Sequence, residues 1–139
     1  MKPFDLDLYN ADDNAKDLVI QWLKGYGYIV DVNPDQYGID LIGTDNTGRQ
    51  IEVEVEVKHH WKGSHFPFRT VHVSARKQKF VRPNAYLVMV NHERTHVLTL
   101  DYETLSQAKL VTKPTIYTTD EQFLQVDVEM AKIRKLDRD

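Results

Sequence analysis

Cysteine is absent from this 139-residue chain. That excludes a disulfide framework and any thiolate metal site, and it makes a cytoplasmic location the expectation. Long hydrophobic runs are missing as well. No apolar stretch approaches the roughly 20 residues a helix needs to cross a bilayer, and no signal-peptide pattern opens the sequence, so no membrane partner is expected. Glycine and proline are few, six and five residues, and no linker, repeat or low-complexity stretch divides the chain. What is present is globular: 41% hydrophobic and 28% charged residues. A chain of this length can bury a real core as one domain, residues 1–139.

Acids outnumber Lys and Arg by 21 to 18, and the net charge of −3 looks unsuited to nucleic acid. The average hides a segregation. Residues 1–57 hold twelve acids and four Lys or Arg, whereas residues 58–92 hold seven Lys or Arg, five of the six histidines and no acid. An acidic region beside a basic one suits a site that grips phosphates around a metal, although chance segregation on a solvated face gives the same count.

Leu18, Val19, Trp22, Leu23 and Tyr26 recur at helical spacing, predicting a helix from about Asp12 to Tyr26 that ends at Gly25 and Gly27. Residues 28–32 and 38–43 read as strands, and 44–48 as a hairpin turn. From Arg49 to Lys58 the alternation is cleanest. Ile51, Val53, Val55 and Val57 point one way; Glu52, Glu54, Glu56 and Lys58 point the other. Further strands are expected at 70–73, 85–91 and 95–100, with a short basic helix at 75–81 capped by Ser74. Helices are also expected at 102–110 and 128–136. The whole predicts one α/β domain.

Three glutamates on one strand face repel each other unless water screens them or a cation sits among them. A solvated edge strand would satisfy them. Two features favour a cation. Asp40 lies in the adjoining strand behind Gly38, where antiparallel pairing brings it beside Glu54 or Glu56. Lys58 adds one positive charge on the same face. Gly38-Ile39-Asp40, a turn, then Glu56-Val57-Lys58 resembles the motif of the PD-(D/E)XK nuclease superfamily, which sits on just such a hairpin. The preceding helix and strand, with Trp22-Leu-Lys-Gly-Tyr-Gly-Tyr-Ile-Val, resemble that superfamily's first core elements. The resemblance spans about residues 12–91. It implies a restriction-endonuclease-like core: a mixed central β-sheet carrying the acidic hairpin, flanked by α-helices.

The chemistry explains these residue types. Phosphodiester hydrolysis needs neutralised nonbridging oxygens, a nucleophile made from water and a stabilised leaving oxygen. Mg²⁺, with Mn²⁺ able to substitute, prefers a few carboxylates plus waters, so Asp40 and Glu56 suit it. The resemblance adds the Val57 carbonyl as a third ligand. It also suggests an acid from the first helix: alignment puts Lys16 near that place, Asp12, Asp13 and Asp17 lie within a turn, and Asp12 is chosen. Helix-dipole stabilisation explains those acids equally well. Lys58 is expected to orient or deprotonate the attacking water, or to stabilise the transition state. Glu54 faces the site with its role open, and Ile39 departs from the proline in the motif's name.

His59, His60, His65 and His72 lack the regular spacing of a zinc site. Arg76, Lys77 and Lys79 sit where a helix N-terminus disfavours cations, so they are expected to meet phosphates; the resemblance suggests Lys77 or Gln78 as a further active-site group. Lys62 and Arg69 are further candidate phosphate contacts. Trp61, Phe66 and Phe68 either pack their loop down, the slightly favoured reading, or stack on unpaired bases. The expectation is a Mg²⁺-dependent endodeoxyribonuclease acting through a metal-activated water, selective for DNA structure or recognising its substrate as a homodimer, with RNA not excluded. The alternatives are a dimeric Holliday junction resolvase or an inactive nuclease-fold binding module.

Overall fold

A computed structural model of the chain describes residues 6–35 and 37–136, with side chains from residue 14 onward. Helix α1, Leu6–Lys24, is followed by strands β1 (Ile29–Val32), β2 (Leu41–Thr44), β3 (Gln50–Lys58) and β4 (Thr70–Ser74). A 3-10 segment, Ala75–Phe80, leads to β5 (Ala85–Asn91) and β6 (His96–Leu100). Helix α2 (Tyr102–Ser106), β7 (Lys109–Lys113), β8 (Glu121–Asp127), a 3-10 turn and β9 (Lys132–Lys135) complete the order. Among the described residues no helix is long and apolar enough to cross a membrane.

Six strands form a mixed sheet in the order β1-β2-β3-β5-β6-β9. Its single parallel pair is β3 with β5; the other neighbours run antiparallel. The remaining strands make a second, antiparallel sheet in the order β4-β8-β7. On one face of the large sheet, Ala15, Val19 and Leu23 of α1 pack on Val53, Val55, Val57, Val88 and Val90. These helix residues stand four apart, which stacks them on one stripe. On the other face Leu87, Met89, Leu98 and Leu100 meet Val71, Val73, Leu124 and Val126 of the small sheet. The molecule is thus helix, sheet, sheet.

Several local expectations are corrected. Residues 102–110 begin as the short helix α2 and then become β7, and 128–136 is a 3-10 turn followed by β9. In both places a short strand, Lys109–Lys113 or Lys132–Lys135, is paired with a neighbour, and ladder hydrogen bonds override weak helical spacing. Strand β8 was not anticipated; it joins β4 to β7. The basic segment at 75–80 is 3-10 rather than α-helical, and Ser74 makes no side-chain capping bond. Strand β2 starts at Leu41 rather than 38. Gly38 instead belongs to a tight turn, where an added Cβ would lie 2.7 Å from Asn33 Nδ2.

Candidate active site

Strand β3 lies inside the sheet, between β2 and β5. Residues 50–53 pair with β2 while 54–58 pair with β5 alone, so it is burial that removes the solvated reading for Glu54. Glu54 stands opposite Leu87 and Glu56 opposite Met89 on β5, so the carboxylates border an apolar row. Glu54 is 8% exposed.

The hairpin register pairs Leu41 with Val53. One step further, Asp40 comes opposite Glu54, so of the two acids left open by the sequence it is Glu54 that meets Asp40. Asp40 Oδ2 accepts a hydrogen bond from the Val55 N–H at 2.8 Å, and Oδ1 lies 3.1 Å from Lys16 Nζ. Glu54 Oε2 lies 3.4 Å from Lys77 Nζ. Burial raises the Glu54 carboxyl to about 7; Lys77 opposes the rise and the neighbouring Asp40 adds to it. Removing water costs the charged form more than one ammonium restores.

Further along the row, Lys58 Nζ donates to the His72 carbonyl at 2.8 Å and stands 3.5 Å from Glu56 Oε2. That second approach is an ion pair without hydrogen-bond geometry, and Glu56 Oε2 has no hydrogen-bond partner among the described residues. Glu54 Oε1 has none either. Glu52, at the start of the row, is held by Arg82 in a two-pronged pair at 2.8 and 2.6 Å, which lowers its pKa and leaves it structural.

The basic segment is fastened to this centre. Phe80, Ile39 and Ala85 form a small buried cluster, and Lys79 Nζ donates to the Tyr37 carbonyl at 3.2 Å. Ile39, where the motif's name has proline, therefore anchors the turn that presents Asp40. The three cations of the segment diverge: Lys77 turns in to Glu54, Lys79 lies over Phe80, and Arg76 is exposed. Gln78 is exposed too, so Lys77 is the member of that pair beside the acids. Val57 is buried against the α1 side. On α1, Lys16 meets Asp40 while Asp17 is exposed. Asp12 and Asp13 have side chains outside the described residues.

A cleft of about 650 Å³ opens beside Glu56 and Lys58, lined also by Trp61, Phe68, Arg69 and Lys113. Trp61 and Phe66 are buried, whereas Phe68 is 51% exposed. Arg69 and Lys62 are exposed, and Arg69 is the one that lines the cleft. Lys113 was missed because its strand begins inside the stretch 102–110 expected to be helical, and Lys109-Leu-Val-Thr-Lys113 carries no alternation that would have marked a strand. Among the described residues no three His, Asp or Glu side chains converge as ligands of one ion. Two carboxylates with unpartnered, buried oxygens nevertheless fit a hard divalent cation that keeps several waters.

No protein-family model and no curated protein matches the sequence. Among solved structures, the chain is similar to Hjc, a Holliday junction resolvase from the archaeal hyperthermophile Archaeoglobus fulgidus. The likeness covers 86% of each chain with a TM-score of 0.53 and 12% sequence identity. The fold is restriction-endonuclease-like, as the motif resemblance implied.

Proposed function

We propose that this chain is a divalent-metal-dependent endodeoxyribonuclease. The observation that carries the reading is the partly desolvated acidic group Asp40, Glu54 and Glu56, with one oxygen each of Glu54 and Glu56 unpartnered among the described residues and with Lys58 and Lys77 beside it. A nuclease-like fold that only bound DNA would gain by losing acids so close to phosphate.

Asp40, with Glu54 or Glu56, would hold Mg²⁺ or Mn²⁺, and the Val57 carbonyl is the third ligand implied by the resemblance. The ion, when bound, neutralises nonbridging charge and acidifies a water. The residues of the chain divide the remaining work. The Val55 N–H fixes one Asp40 oxygen, so the carboxylate is oriented before substrate arrives. Lys58 Nζ, tethered by the His72 carbonyl, keeps two further protons to donate toward the attacking water or a phosphate oxygen. Lys77 offsets the charge on Glu54.

The test is a cleavage panel of plasmid, linear duplex, single strand, flap and four-way junction with Mg²⁺, Mn²⁺ or EDTA. Cleavage with either metal and none in EDTA is expected; full activity in EDTA sinks the reading. Binding without cleavage under every condition would identify an inactive module instead. The fold of the Archaeoglobus protein favours one second reading, a Holliday junction resolvase acting as a homodimer. Its mark in the same panel is paired, symmetric cuts in opposite strands of the four-way junction.

A further inference from the structure

Next to the carboxylates lies the cleft of about 650 Å³, bounded by β3, the following loop and β7. Its volume falls within the usual range for small-ligand pockets. Its charge is the reverse of the chain's: Lys58, Arg69 and Lys113 line it with three histidines, against the single acid Glu56. The aromatic wall has a graded exposure. Trp61 and Phe66 are buried with ring centroids 5.5 Å apart. Phe68 continues the series at 5.6 Å from Phe66 but remains 51% exposed. Packing the loop accounts for the first two rings and not for the third. One more polar group is unaccounted for: the buried Trp61 indole N–H, in the cleft wall, has no hydrogen-bond partner among the described residues. A half-exposed aromatic ring beside three cations in one cleft matches the chemistry of a nucleotide whose base is not paired.

We infer that this cleft is the subsite for one unpaired nucleotide adjoining the scissile phosphate, with its base stacked on Phe68 and its phosphate held by Arg69 and Lys113. The inference rests on the nuclease reading and deepens it: the substrate is DNA with unpaired bases beside the cut, not continuous duplex. A base in a duplex is stacked on both faces and cannot offer one to Phe68, whereas a flap, gap or junction releases it at small cost.

The experiment is fluorescence anisotropy with the full chain in EDTA, comparing a labelled duplex bearing a short single-stranded flap with the same duplex fully paired. The wild type should prefer the flap by about tenfold or more, a ratio set by stacking of one base. Phe68→Ala should bring the ratio close to one, and Phe68→Leu, which keeps the packing on Phe66, should do the same. An unchanged ratio in both variants, or no preference in the wild type, overturns the subsite. A parallel cleavage assay in Mg²⁺ separates the two readings. If the wild type cuts nothing while the flap preference still depends on Phe68, the nuclease reading fails and the nucleotide subsite stands. If it cuts paired and flapped DNA alike, with or without Phe68, the subsite fails and the nuclease reading stands.

Discussion

Asp40 serves the backbone and the site at once, because one oxygen takes the Val55 N–H while the other faces Lys16. Asp40→Ala would leave the Val55 amide without its acceptor, at a cost of about 1–3 kcal/mol. Asp40→Asn can keep that acceptor and remove only the charge. Both variants should lose cleavage by several orders of magnitude, but thermal unfolding should show Asn near wild type and Ala destabilised. Glu54 supplies a second prediction. Its folded pKa is raised to about 7 from the ordinary 4.5, so the folded state retains a proton that the unfolded state has lost. Stability of the metal-free protein is therefore greatest below about pH 4.5 for this group and declines as pH rises through 7, by roughly 2–3 kcal/mol. Glu54→Gln should flatten that decline in denaturant titrations run from pH 5 to 8. An identical slope in the variant would mean that Glu54 is not the group responsible.

At the scale of elements, the 3-10 segment Ala75–Phe80 does two jobs that a solvated basic helix would not. Phe80 locks it to Ile39 beside the Asp40 turn, and Lys77 projects to the acids while Arg76 stays exposed. The cations should accordingly differ in effect. Arg76→Gln should lower affinity for every DNA sequence alike and reduce the slope of log affinity against log salt by about 0.9, the signature of one lost phosphate contact. Lys77→Gln should slow cleavage more than it weakens binding, because its partner is Glu54. Salt-dependent binding curves alongside single-turnover cleavage separate the two. Equal effects from both substitutions would return the segment to a uniform phosphate-binding surface.

For the whole molecule, the net charge of −3 conceals a cleft whose lining is basic. Long-range attraction to DNA should then be weak, and the slope of log affinity against log salt should be modest, about 0.9 for each phosphate contact made on that face. Under the proposed nuclease reading, a chain of 16.2 kDa with one acidic row among the described residues would cut one strand at a time. Symmetric resolution of a four-way junction therefore requires two copies. Light scattering of the protein on an uncleavable junction, in EDTA, should give a mass increment of two chains per junction. An increment of one chain would exclude the dimeric resolvase while leaving a flap or gap nuclease intact.

The sequence by itself determined the acidic face. Alternation of Val and Glu from Ile51 to Lys58 has only one arrangement in a pleated strand, and the turn Asp45–Gly48 brings the strand carrying Leu41 back alongside it. The helix stripe Val19 and Leu23 was legible for the same reason, since local periodicity reports which face is buried. Only tertiary structure decided that Glu54 is buried rather than solvated, because that depends on β5 pairing with β3 across an intervening stretch of chain. It alone selected Glu54 as the neighbour of Asp40, since register is set by pairing and not by spacing along one strand. The same holds for β7, β8 and β9: their segments are short, weakly patterned and stabilised by partners distant in sequence. The cleft was hidden for that reason too. Lys58, Phe68 and Lys113 come from three separated stretches, and only the packing of two sheets brings them to one wall.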